Sequence, residues 1–253
     1  MVFTSFKDAM ASGETLVFGH RGAKDYAPMN TIVAFELALK QGAAGIELDV
    51  HRSKDGYPVI VHDFTIDATT SGTGRVTDKT LAELKALDAG SWFDASFVGA
   101  QVPTLDEVFE AVGDALLINV EIKSMSADTD GVEQVVADCI ARHNMGERVL
   151  VSSFNPMALK RFREIMPDVM IGFLYSSGME IDTESMMDGF AHEARHPYFE
   201  MIDADYMAWA KSNNYYVNTW TVNDPEKAKE LKTLGVNCII TDAPDVMLEA
   251  ISS

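Results

Sequence analysis

From residue 114 onward, short runs of β-branched and aliphatic residues alternate with longer segments in which apolar positions recur every three or four residues. This is the rhythm of a parallel sheet covered by helices. It predicts strands at Leu116–Lys123, Arg148–Phe154, Val169–Tyr175, Glu200–Asp203, Tyr215–Trp220 and Asn237–Thr241. Helix starts lie between them. Thr129 and Asp130 precede GVEQVVADCIARH, while Asn155-Pro156 and Asp224-Pro225 each set a capping side chain before a proline suited to a first helical turn.

Upstream, apolar runs at 15–20 (TLVFGH) and 44–50 (AGIELDV) flank a helix beginning near Asn30-Thr31, which brings the strand count to eight. A further run, Pro58–His62, follows the second strand after a link too short for a crossover helix. The link carries Asp55-Gly56, so this run is predicted to be a hairpin returning to the same end, not a barrel strand. Eight β-α units in 253 residues make an α/β fold of the (β/α)8, or TIM, barrel type, whose chemistry gathers at the C-terminal ends of the strands. Residues 64–103 are too long and Gly/Ser-rich for an ordinary connection. They are expected to fold as a small insertion over the barrel mouth, within one domain spanning 1–253.

Composition narrows the partners. A hydrophobic share of 47% can fill a large core, and 39 acidic against 20 basic side chains give a net charge of -19, which repels nucleic-acid backbones and anionic membranes. Neither a nucleic-acid partner nor stable membrane association is expected. Cys139 and Cys238 lie far apart and read as small buried apolar residues. The N-terminal stretch lacks the layout of a secretory signal, and no run approaches the ~18 apolar residues of a membrane span, so a cytoplasmic location is expected.

The predicted strand ends carry the chemistry. The first ends in Gly19-His20-Arg21-Gly22, the second carries Glu47-Leu48-Asp49, and the hairpin returns to His62-Asp63. Because side chains alternate along a strand, Glu47 and Asp49 share the barrel lumen, and the same alternation aims Asn119, Glu121 and Lys123 inward together. Three carboxylates converging in one place repel each other unless a cation holds them, and all-oxygen ligands suit Mg²⁺ or Ca²⁺. Ion pairing with Arg21 and Lys123 is the alternative. His20 and His62 both follow apolar runs at this end, where two imidazoles can supply an acid and a base; His51, His143, His192 and His196 read as structural. Together these groups suggest phosphoryl transfer to water.

The runs FGHRGAKDYAPMNTIVAF, GIELDVHRSKDGYPVIVHDFTIDATTSGTGRV, NVEIK, WTVN and ITDAP resemble the glycerophosphodiester phosphodiesterase family from about residue 15 to 247. The resemblance implies that Glu47, Asp49 and Glu121 bind the divalent cation (Mg²⁺ or Ca²⁺, with Mn²⁺ also suited). It implies further that His20 and His62 are the acid/base pair and that Arg21 and Lys123 contact phosphate. The family's small-molecule substrates are deacylated phospholipids such as glycerophosphocholine, cleaved to sn-glycerol 3-phosphate and an alcohol. Trp220, and more weakly Phe154, would line the substrate groove. The chain departs from the family at Met29, where a glutamate is usual, and at Ala68, often an arginine. Two rival expectations are a related barrel phosphodiesterase acting on a larger lipid through Trp92, Phe93, Phe97 and Val98, and a catalytically silent phosphodiester-binding protein.

Overall fold

The computed structural model describes residues 3–179 and 185–252. A helix α1 (Phe6–Ala11) precedes the first barrel strand β1 (Leu16–His20) and α2 (Ile32–Lys40). The hairpin β2 (Gly45–Arg52) and β3 (Pro58–Ile60) leads to α3 (Leu81–Lys85) and α4 (Leu105–Val112). Then come β4 (Leu117–Ile122), α5 (Val132–Arg142), β5 (Val149–Ser153), α6 (Pro156–Ile165) and β6 (Met170–Tyr175). The chain continues through β7 (Ala194–Pro197), α7 (Ala204–Ser212), β8 (Tyr216–Thr219), α8 (Pro225–Leu234), β9 (Cys238–Thr241) and α9 (Pro244–Ser252). Every strand except β3 pairs in parallel with its neighbours, and β1 bonds to both β2 and β9, which closes an eight-stranded barrel. β3 pairs antiparallel with β2, opposing Val50 with Ile60, and lies outside the closed ring.

Local chemistry explains the boundaries. Thr31 caps α2, and Thr104 caps α4 in a reciprocal arrangement with Glu107 that occupies two otherwise unpaired backbone donors. Asn155 and Asp224 cap the proline-initiated α6 and α8, and Gly235 (φ 87°) ends α8 in the left-handed region. In the hairpin, Gly56 (φ 92°) supplies the positive φ of the turn.

One predicted strand is misplaced. Glu200–Asp203 is not a strand: Phe199–Met201 is a 3₁₀ turn and Asp203 caps α7, while the barrel strand is Ala194–Pro197. That strand reads Ala-Arg-His-Pro and carries no β-branched residue, so it gives no hydrophobic signal. Its Arg195 is buried with its guanidinium 4.9 to 5.6 Å from the rings of Tyr215, Trp209, Phe173 and Tyr175, and His196 fills the lumen.

The lumen is layered. Phe18, Leu117, Leu150, Ala194 and Cys238 form an apolar plug with α1 at the N-terminal end. Above it lie buried Asn119, Ser152, His196 and Asn218, and above those the charged groups of the strand ends. The apolar faces of α2, α4, α5 and α6 pack on the outside of β2, β4, β5 and β6. Within 64–103, Ile66, Val76, Leu84, Ala89 and Val102 form a separate small core with Val59 and Val61. Trp92, Phe93 and Phe97 pack edge to face against one another.

Close packing of the plug makes a test. A Cβ at Gly45 would overlap the Leu117 carbonyl oxygen and the Phe18 ring, and the carbonyl belongs to the β2–β4 ladder and cannot yield. Gly45→Ala is expected to cost about 1–3 kcal/mol by overpacking, read as a lowered midpoint in urea unfolding. An unchanged midpoint would show that the lumen has slack at this layer.

Candidate active site

The turn after β1 is built for close approach. Arg21 (φ 54°) and Gly22 (φ 87°) both take left-handed conformations, and a side chain at Gly22 would collide with the Ala34 backbone. This reversal points the Arg21 amide at Glu47 Oε2 (3.2 Å) and sets its Nε 3.2 Å from Asp49 Oδ2. Asn30, also left-handed (φ 59°), donates its Nδ2 to the same Asp49 oxygen at 2.8 Å. Just past β4, Lys123 Nζ lies 2.7 Å from Glu121 Oε1 and 3.4 Å from Asp49 Oδ1.

The strand register explains the convergence, since His20 is level with Glu47 and Asp49 is level with Glu121. Carboxylate oxygens of Glu47, Asp49 and Glu121 come within 4.8 Å of one another, all buried. Arg21 and Lys123 do form the ion pairs that were the alternative reading, but two cations face three carboxylates. Burial, together with the charges of Asp49 and Glu121, pushes the Glu47 carboxyl well above its ordinary range. Burial also raises Glu121, to about 7, despite Lys123. Asp49 is driven the other way: Lys123 and Arg21 outweigh its burial and hold it at about 2. Asp49 Oδ1 is buried and makes no hydrogen bond among the described residues. A set of hard oxygen donors that leaves one negative charge uncompensated when all three are ionised fits a divalent cation of the Mg²⁺ or Ca²⁺ kind.

Both histidines sit at this pocket with a carboxylate on Nδ1. His20 Nδ1 lies 2.6 Å from Asp242 Oδ1, and His62 Nδ1 lies 2.7 Å from Asp63 Oδ1. Burial lowers the pKa of each below the usual imidazole value, against the pull of those carboxylates. Phe154 and Trp220 stack edge to face (5.3 Å, 85°), and Trp220 is pinned by its Nε1 donating to the His196 carbonyl at 2.9 Å. His20, Arg21, Glu47, His62, Glu121, Lys123, Phe154 and Trp220 therefore line one pocket of about 170 Å³ that opens to solvent.

Several supporting residues escape the sequence reading. Asp242 follows the apolar run of β9 just as His20 follows that of β1, so the strand-end rule could have found it. Asn30 reads in the sequence as part of a helix start, but Thr31 is the cap, which leaves Asn30 for Asp49. His51, read as structural, holds the His62 carbonyl through Nε2 at 3.3 Å. The departure at Met29 places its Sδ 3.3 Å from Arg21 Nη1, a weak acceptor beside a guanidinium. Asp106, Cys139 and His143 also converge, between α4 and α5, but the Arg142 guanidinium at 2.7 Å already supplies the positive charge there.

The chain matches the model of the family described as "Glycerophosphoryl diester phosphodiesterase family" over residues 20–246. It is 40% identical over 239 residues to a glycerophosphodiester phosphodiesterase of Caldanaerobacter subterraneus subsp. tengcongensis, covering 94% of this chain and 98% of that protein. The fold is similar to an Oleispira antarctica phosphodiesterase solved in complex with the product sn-glycerol-3-phosphate (TM-score 0.84, 30% identity, 96% and 99% of the two chains). It is also similar to a glycerophosphodiester phosphodiesterase of Agrobacterium tumefaciens (TM-score 0.80, 29% identity, 93% and 99%).

If the uncompensated charge is a cation site, Glu47→Gln should weaken Mn²⁺ or Ca²⁺ binding at least ~10-fold in isothermal titration calorimetry. The same change removes like-charge repulsion, so the cation-free variant should unfold no earlier than the wild type. Equal affinity in the two proteins would remove Glu47 from the cation's ligands.

Proposed function

The chain belongs to the glycerophosphodiester phosphodiesterase family, and from that premise we propose that it hydrolyses deacylated phospholipids such as glycerophosphocholine and glycerophosphoethanolamine to sn-glycerol 3-phosphate and an alcohol, using a divalent cation and the His20/His62 pair. The observation that carries this reading is the assembly around one pocket of Glu47 and Glu121, two cationic side chains and two imidazoles, with the buried Asp49 carboxylate within 4.8 Å of the other two.

A divalent cation held by Glu47, Asp49 and Glu121 would supply Lewis-acid stabilisation of the phosphoryl oxygens. Arg21 and Lys123 add fixed positive charge where the non-bridging oxygens gather it. A carboxylate can only accept hydrogen bonds, so Asp242 and Asp63 place a proton on Nδ1 of each histidine and leave Nε2 for the reaction. His20 Nε2 takes a proton from the nucleophile, which is water, or else the neighbouring glycerol hydroxyl, whose attack closes a cyclic phosphate that water then opens to sn-glycerol 3-phosphate. The new P–O bond forms as the bond to the alcohol breaks, and the departing oxygen takes a proton from His62 Nε2. His62 suits the acid role because it lies on the return of the hairpin, a third exposed, where an alcohol can leave. Asp63 and a bound phosphodiester anion favour the imidazolium that this role needs.

An alkoxide leaves poorly unless protonated, whereas p-nitrophenolate leaves unaided. His62→Ala should therefore lose ~10²–10⁴-fold on glycerophosphocholine but far less on a p-nitrophenyl phosphodiester, and His20→Ala should lose similar activity on both. The opposite pattern would exchange the two roles. Turnover of long-chain lipids only, or binding without turnover, would overturn the substrate assignment.

A further inference from the structure

Asp242 does not line the pocket, yet it is the most elaborately held carboxylate near it. Its Oδ1 meets His20 Nδ1 at 2.6 Å, while its Oδ2 accepts from Asn223 Nδ2 (2.9 Å) and Lys24 Nζ (3.2 Å). Its backbone amide donates to Asn223 Oδ1 at 3.0 Å, an oxygen that also accepts from Thr241 Oγ1 at 3.0 Å. Its carbonyl accepts from the Asp25 amide at 3.1 Å. The loops after β1, β8 and β9 thus meet at one carboxylate, which is only 7% exposed. The partner of the other histidine is held far less firmly. Asp63 is the next residue in the chain to His62, and its side chain is 47% exposed.

An imidazole can turn over about its Cβ–Cγ bond and can carry its single neutral-form proton on either nitrogen. Only one of these states offers a bare Nε2 to the pocket. The short contact to Asp242 selects that state on both counts, since an acceptor fixed at Nδ1 demands the N–H there. We propose that Asp242, braced by Asn223 and Lys24, is the positioning residue that fixes the ring orientation and tautomer of His20, so that its Nε2 faces the reacting phosphate. This rests on the reading of His20 as the general base. The three loops it joins come from strands β1, β8 and β9, so the base is set at the closing seam of the barrel, apart from the carboxylates on β2 and β4.

The test uses the full chain with saturating Mn²⁺. Asp242→Asn should lower kcat by roughly 10²-fold or more, as removal of an orienting carboxylate does in other base–carboxylate pairs, with KM within about twofold of wild type. The loss should be the same for glycerophosphocholine and the p-nitrophenyl ester, because a base acts ahead of the leaving group. Asp242→Glu, which keeps an acceptor, should recover part of the activity. The double variant His20→Ala/Asp242→Asn should be no slower than His20→Ala alone, because a positioning group has nothing left to position. Long-range ¹H–¹⁵N spectra should show His20 protonated on Nδ1 in the wild type and a tautomer mixture in Asp242→Asn. Additive losses in the double variant, or an unchanged tautomer with unchanged kcat, would overturn the proposal while leaving His20 as base. A fully active His20→Ala would instead overturn the reading of the base and the positioning role with it.

Discussion

Mutual repulsion among Glu47, Asp49 and Glu121 is the constraint around which the upper barrel is arranged. Three carboxylates brought within 4.8 Å in a buried setting cannot all stay ionised without compensation. Arg21 reaches them only because the chain reverses through two left-handed residues, and Asn30 reaches Asp49 only because it too is left-handed. Lys123 is shared between Asp49 and Glu121, and those charges raise its pKa even though burial works against them. The compensation is uneven. Asp49 is held ionised while Glu47 is pushed up, so the residual strain lies on the side of the cluster nearest His20, whose Nε2 is 4.0 Å from Glu47 Oε2.

The layering below the charged groups follows from the same need. A charged cluster resting directly on hydrocarbon would pay the full desolvation cost. Here a belt of Asn119, Ser152, His196 and Asn218 intervenes above the apolar plug. Burial alone holds the His196 imidazole neutral, with a pKa near 3, so this belt is polar without adding charge. His196 occupies the room that Gly172 leaves open, and Asn218 Nδ2 lies 3.0 Å from its Nε2.

Much of this was legible in the chain because both controlling rules are short-range. Period-two alternation puts Glu47 with Asp49, and Asn119 with Glu121 and Lys123, whatever the rest of the fold does. A polar residue following an apolar run marks a strand end, which located His20 and His62. Strand β7 escaped because its burial is secured by long-range contacts, an arginine among aromatic rings from β6, α7 and the residue before β8, which no local pattern encodes. Asn30 and Asn223 escaped for a related reason. Each reaches a carboxylate 19 positions away, and a single polar residue in a loop looks the same whether or not such a partner exists.

The net charge of -19 and the pocket work against each other in a way that assigns the cation a second task. Without a cation, the three clustered carboxylates outnumber Arg21 and Lys123, so a phosphodiester meets a repulsive surface and, when all three are ionised, a site that is itself negative. A divalent ion reverses the local sign while leaving the global field almost unchanged. Within roughly a Debye length, ~8 Å at physiological ionic strength, the local sign governs capture. On the proposed reading, the cation is therefore needed to admit the anion as well as to activate it. Ionised Asp49, held by Arg21, Lys123 and Asn30, is then the anchor that keeps the site able to recruit a cation across the neutral pH range.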